Sequence, residues 1–356
     1  MKKFSLLMVF VLLVGMLAAC GPAADKPVVE EPAVDAPVVE DPAVEEPVVE
    51  EPAAEEPLRV AMVFSTTIKD DGYAQVAYES LMMLKEKYNL EVSYQESVPD
   101  ATVKDVLRSY AAEDYDLIYA HQLYFTEAVN EVAPEFPDVK FGVTGYMANS
   151  PNVIALDATN WESVYLAGVV AGMMTETNKI AMVTVSQSPI ALKMVNAMYM
   201  GATSQNPDAE IMHLFTGSFD DVVKAKEMAT AAIKDGADIV YANCGIGTVG
   251  AIEAAKEYNT YAIGSSVDRG PLAPEIVLTS NVLDSGRYII IAVEGLLNGD
   301  LEWGKVYELG VKDGVEYLTP FNDAVPQEVK DAVEQATQDM IDGKIATPET
   351  EKYMWD

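Results

Sequence analysis

The sequence predicts an α/β protein: two doubly wound, parallel-sheet lobes joined by a hinge. Short apolar runs alternate with longer amphipathic ones from residue 58 onward, the spacing that gives parallel sheets flanked by helices. The alternation restarts near residue 178, which points to a second lobe. Half of the 356 residues are hydrophobic, so a sizeable core is available.

The first 20 residues read as a leader. Lys2 and Lys3 precede an apolar run from Leu6 to Leu17 that closes on Leu17-Ala18-Ala19-Cys20. A basic start, a short apolar stretch and small residues form a secretory signal, and the run is shorter than the ~20 residues that span a bilayer. Leu-Ala-Ala-Cys resembles the bacterial lipobox, so Cys20 is the expected lipidation site, carrying a palmitate-type anchor. Residues 21–57 place proline at every fifth position from Pro22 to Pro57, separated by Val, Ala, Glu and Asp. Proline removes backbone donors, and like charges extend the chain, so this segment is expected to be a disordered linker. As polyproline II it reaches at most about 115 Å.

Within 58–356 the strands are expected at Leu58–Phe64, Glu91–Gln95, Asp116–Ala120, Val139–Val143 and Val153–Leu156. Between them lie helices at Tyr73–Tyr88, Val103–Ala112 and Phe125–Val132. Trp161–Met174 is a long Ala- and Gly-containing helix at the junction. The second run has strands Lys179–Val185, Glu210–Leu214, Asp238–Ala242, Tyr261–Gly264 and Ile276–Ser280. Its helices are Ala191–Ser204, Asp220–Asp235 and Gly250–Tyr258. Helix Ser285–Leu297, strands Lys305–Leu309 and Val315–Leu318, and a helix near Pro326–Ile341 complete the chain. Lobe one is expected to hold mainly 58–157 with part of 281–310; lobe two holds mainly 178–276 with the C-terminal segment.

The formal net charge is −34. A surface that acidic repels phosphate backbones, so nucleic acid is not an expected partner. Cys244 has no partner once Cys20 is lipidated, and no disulfide is expected. His121 and His213 do not cluster with cysteines, so no metal site and no cofactor are expected. Asn243-Cys244-Gly245-Ile246-Gly247 lacks the Lys and Ser/Thr ending of a phosphate loop. An enzyme would need a nucleophile–base set or an Asp-rich metal site, and neither is evident.

The segments Tyr165-Leu166-Ala167-Gly168, Gly217-Ser218-Phe219-Asp220, Gly236-Ala237-Asp238-Ile239-Val240 and Ile252-Glu253-Ala254-Ala255-Lys256 recur in order with Tyr261-Ala262-Ile263-Gly264 and Leu309-Gly310. Over residues 58–345 this set resembles the basic membrane protein (Bmp/Med-like) family of ABC-transporter substrate-binding lipoproteins. The resemblance implies the type I periplasmic-binding-protein fold, with a ligand in the interlobe cleft. It also implies an extracytoplasmic, lipid-anchored monomer serving an ABC permease, with no enzyme activity, for a small molecule such as a purine nucleoside, nucleobase or related heterocycle. A sensor or a sugar-type binder of the same fold is the alternative, with a nucleoside-processing enzyme ranked behind both.

In that family an acid just before an aromatic–Asn pair contacts the base. Asp70 matches the acid and Tyr73 the aromatic, with Ala74 where Asn is usual; Asp70 is either that contact or a helix cap. Gln122 stands where the family has glycine, followed by Tyr124 as a cleft-facing aromatic. A planar ligand needs aromatic faces and a few fixed polar groups. Trp161 either covers a ring or staples its helix to the core. Phe219 is placed for stacking, Gln187 for hydrogen bonding, and Gly245 for close backbone approach. Ser266 and Asp268 occupy the positions of two family acids that bind ribose, and Leu283 replaces a family lysine. Losing that Asp and Lys points away from a standard nucleoside, because unpaired hydroxyls cost roughly 1–3 kcal/mol each.

Overall fold

The computed structural model describes residues 57–70 and 72–355. The leader with Cys20, the proline-spaced segment up to residue 56, and Asp71 lie outside the described residues. The chain builds β1 (Arg59–Phe64), α1 (Tyr73–Tyr88), β2 (Glu91–Gln95), α2 (Val103–Ala111), β3 (Leu117–His121), α3 (Thr126–Val132), β4 (Lys140–Thr144) and β5 (Val153–Ala158) in lobe one. It crosses to lobe two for α4 (Glu162–Met174), β6 (Lys179–Thr184), α5 (Pro189–Gln205), β7 (Glu210–Phe215) and α6 (Val222–Lys234). There it continues with β8 (Ile239–Asn243), α7 (Thr248–Tyr258), β9 (Tyr261–Ser266) and β10 (Val277–Leu283). It returns to lobe one for α8 (Gly286–Asn298) and β11 (Lys305–Leu309), then ends in lobe two with β12 (Glu316–Leu318) and α9 (Gln327–Ile341).

The first sheet runs β11-β5-β4-β3-β1-β2 and the second β12-β10-β9-β8-β6-β7. All pairs in the first are parallel. In the second, β12 is antiparallel to β10, with Glu316 opposite Leu283. This departs from the parallel sheet expected. The chain re-enters lobe two from the hinge, at the carboxyl end of β10, so a strand formed there must run back along it.

Strand alternation fills both faces of each sheet. Val60, Met62 and Phe64 of β1 pack with α1 and with Tyr288, Ile289 and Val293 of α8. Ala61 and Val63 face Leu107 of α2 and Val129 of α3 instead. In lobe two, Ile180 and Met182 join α4, α5 and α9, while Ala181 and Val183 face α6 and α7. The helix expected at the junction of the two runs is therefore core to lobe two, and the first crossing narrows to Thr159–Trp161. Helix α4 lies against α5 with glycines at the contact: a Cβ on Gly172 would meet the Ala202 carbonyl, and one on Gly201 the Tyr165 carbonyl.

The lobes are joined by three passages, and one side chain ties two of them. Glu316, 1% exposed, accepts hydrogen bonds from Thr159 Oγ1 (2.6 Å), Asn160 N (2.6 Å), Ser163 N (3.0 Å) and Ser163 Oγ (2.9 Å). Glu162 Oε2 accepts from Val311 N at 2.7 Å beside it. Replacing Glu316 by Ala leaves buried donors without an acceptor. Urea unfolding of Glu316→Ala is expected to show a loss on the order of 3 kcal/mol, with Glu316→Gln losing less; an unchanged midpoint would contradict the clamp.

Candidate functional site

In parallel α/β sheets, loops at the carboxyl ends of the strands converge on the ligand crevice. Here those ends from both lobes enclose two adjoining chambers. The outer one, about 370 Å³, is walled by Tyr73, Thr144, Tyr146, Asp157 and Tyr288 of lobe one and by Lys193 of lobe two. The inner one, about 200 Å³, is lined by Ser163, Asn243, Ser266, Asn281 and Glu316. Asn160, Ile190 and Leu283 border both.

Aromatic packing sets the outer wall. The Tyr73 ring stacks on His121 with centroids 4.3 Å apart and planes at 19°. Its carbonyl accepts from Ser285 Oγ at 2.6 Å and lies 3.2 Å from His121 Nε2. A carbonyl only accepts, so Nε2 carries the proton and Nδ1 the lone pair, which is buried without a hydrogen-bond partner. Burial pushes the Tyr73 phenol up, with its bond to Thr144 opposing. Asp157, half-buried at the end of β5, is also raised by burial; Lys193 acts against this and Glu308 with it.

The inner chamber is a hydrogen-bonded relay. Tyr241 donates its hydroxyl to Asn281 Oδ1 at 2.9 Å and accepts from Asn243 Nδ2 at 3.3 Å. Asn281 Nδ2 reaches Ser163 Oγ at 3.4 Å, which donates to Glu316. Two bordering residues hold left-handed backbone, Asn160 with φ 61° and Ser266 with φ 70°. Such conformations persist only where surroundings enforce them, commonly at ligand sites.

Of the residues singled out from sequence, the structure brings Tyr73 and Ser266 to the chambers. Asp70 is taken up as a helix cap, accepting from Gly72 N, Ala74 N and Gln75 N at 2.9–3.1 Å. Asp268 likewise accepts from Gly270 N at 2.9 Å. Gln122 accepts from Leu123 N and donates to Ser65 Oγ. Trp161 is a core residue of lobe two; its neighbour Asn160 takes the cleft position. Tyr124 and Phe219 are exposed outside the chamber walls, at 54% and 62%, and Gln187 is exposed in the turn before α5. Gly245, at φ 61°, forms a turn whose Cβ position is closed by the Phe219 carbonyl.

The residues not anticipated are mostly polar ones inside apolar elements. Asp157 follows the apolar run Val153–Leu156, and Asn281 interrupts the strand Val277–Leu283. Ile190, Lys193 and Met194 share one face of α5 through their i, i+3 and i+4 spacing. A charge or amide lodged in a buried strand was the available signal. Among the described residues no cluster of His, Cys, Asp or Glu is arranged to hold a metal ion, and no helix is long and apolar enough to cross a membrane.

Two lobes closing a crevice at their strand ends define the class of solute-binding proteins. Residues 58–351 match the family described as Bmp, ABC transporter substrate-binding protein PnrA-like, and the chain belongs to that family. Basic membrane protein A of Borreliella afzelii is 27% identical over 82% of this chain and 91% of that protein. The putative ABC transporter glucose-binding protein TsgA13 of Haloferax volcanii is 30% identical over 80% of this chain and 72% of its own length. A solved solute-binding protein from Conexibacter woesei superposes with TM-score 0.72 at 25% identity, covering 83% of this chain and 100% of that one. The family binds small molecules outside the cytoplasm and delivers them to a permease; it is not an enzyme family.

Buried His121 makes stability pH-dependent. Desolvation lowers its pKa from 6.5 to about 4, so the folded protein holds it neutral while the unfolded chain binds a proton between those values. Its contribution is complete above about pH 6.5 and falls by about 3 kcal/mol as the pH drops to 4. Denaturation midpoints between pH 7.5 and 4 should show this decline, shallower in His121→Gln; equal slopes in both proteins would contradict it.

Proposed function

We propose that this chain is the lipid-anchored substrate-binding component of an ABC importer, and that its chambers hold a ring-bearing small molecule such as a purine nucleoside, nucleobase or related heterocycle. The observation that carries this reading is the two-part cleft, aromatic in its outer chamber and amide- and hydroxyl-lined in its inner one. Tyr73, Tyr146 and Tyr288 supply ring faces, and Asn160, Asn243 and Asn281 supply orienting hydrogen bonds. The outer volume of about 370 Å³ suits a small metabolite. The chain acts as a monomer whose lobes close on the ligand, and lipid at Cys20 holds it beside the permease. A sugar is the second reading. It draws on the glucose-binding name of the Haloferax volcanii relative and on the density of hydrogen-bonding groups in the inner chamber.

Small molecules released from protein purified without added ligand are to be identified by mass spectrometry, then confirmed by thermal shift against bases, nucleosides and sugars. A heterocycle is the expected finding; release and stabilisation by hexoses alone would favour the second reading. Tyr73→Ala should weaken the identified ligand at least tenfold, a loss of about 1.4 kcal/mol or more, while Asp268→Ala, whose carboxylate serves a turn, stays within threefold. Equal affinity of Tyr73→Ala and wild type would reject the outer chamber as the site. Cys20→Ala should move the protein from the membrane fraction to the soluble one.

A further inference from the structure

The charges of the outer chamber narrow the ligand's chemistry. Among the described residues, Lys193 is the sole cation lining either chamber, in a chain whose net charge is −34. It is half-buried on α5 of lobe two, and among the described residues it forms no salt bridge with the acids around it, although surface lysines elsewhere do. Asp157, half-buried on β5 of lobe one, is the acid of that chamber and feels Lys193 across it. The inner chamber's acid, Glu316, is already saturated by four donors. The opposite walls of one small cavity thus carry opposite charges with Tyr73, Tyr146 and Tyr288 beside them. A charge that closing lobes strip of water needs a counter-group, and a ligand lying between the walls supplies one at each end.

We propose that the ligand is dipolar: a ring-bearing molecule with an acidic group set on Lys193 and a hydrogen-bond-donating amino or ring N–H group set on Asp157. This rests on the small-molecule receptor reading above and selects within it, placing acidic heterocycles and zwitterionic ring compounds ahead of neutral nucleosides and sugars. An uncharged ligand between the walls would leave Lys193 and Asp157 with only each other, across the cavity, as counter-charges.

The test is calorimetric titration of the full chain with orotate, tryptophan, adenine, inosine and glucose, repeated with Lys193→Met and Asp157→Asn. Orotate or tryptophan should bind at least tenfold tighter than the neutral compounds. Lys193→Met should remove that advantage, weakening orotate and tryptophan at least fivefold more than it weakens the neutral compounds, and Asp157→Asn should weaken tryptophan more than orotate. Tightest binding by a neutral compound, with Lys193→Met unaffected, overturns the dipolar ligand and leaves the receptor standing. An equal loss for charged and neutral compounds in Lys193→Met assigns the lysine to lobe closure against Asp157 and also overturns it. No binding across the panel, together with no small molecule released from the purified protein, overturns both readings.

Discussion

The Glu316 carboxylate is buried between the lobes, and the shape of the cleft follows from how its charge is satisfied. No cation pairs with it in the described structure, so it is stabilised by donors alone: two backbone amides and two hydroxyls. To bring those donors to one carboxylate, the crossing Thr159–Ser163 must curl tightly, and Asn160 takes left-handed backbone as a result. Asn160 thereby borders both chambers. Ser163, held by the same carboxylate, begins the chain of contacts through Asn281 and Tyr241 to Asn243. One buried acid therefore sets the hinge and one wall of the inner chamber together.

The two chambers divide the work of recognition by chemistry. The outer wall is built of rings locked from behind: Tyr73 is stacked on a neutral His121 and anchored through its carbonyl by Ser285. Little conformational entropy remains to be lost when a ligand covers that ring. The inner chamber offers amides already engaged on one side, so their remaining donors and acceptors are fixed in direction. Pre-formed faces and pre-aimed hydrogen bonds are what a binding protein needs in order to discriminate among small molecules of similar size.

Much of the architecture was legible in the sequence because burial writes itself as periodicity. Continuous apolar runs such as Val60–Phe64 and Ile180–Val183 mark strands covered on both faces, and amphipathic spacing marks the helices between them. The site was less legible. Asp70, Gln122 and Asp268 are polar residues at turns, where a short side chain either serves a ligand or satisfies the backbone amides just ahead of it; here the backbone takes them. Trp161 was ambiguous in the same way, and the core of lobe two claimed it. Asp157 was hidden by a boundary: ending the strand at Leu156 placed it in a loop, whereas β5 continues to Ala158 and carries its carboxylate to the cleft. That Lys193 faces it is a fact about how two lobes meet, which no local pattern records.

Neither lobe is a continuous stretch of chain. During synthesis the sheet of lobe one has β5 as a bare edge, and one face of α1 uncovered, until residues 286–309 have been made, after strands β6–β10 of lobe two. An open parallel edge beside uncovered apolar surface is the state in which chains pair with one another instead of with themselves. The threefold passage that makes the hinge thus also sets the order of assembly: lobe one is started first but sealed late, and a chain cut short before β11 would carry an unfinished sheet edge.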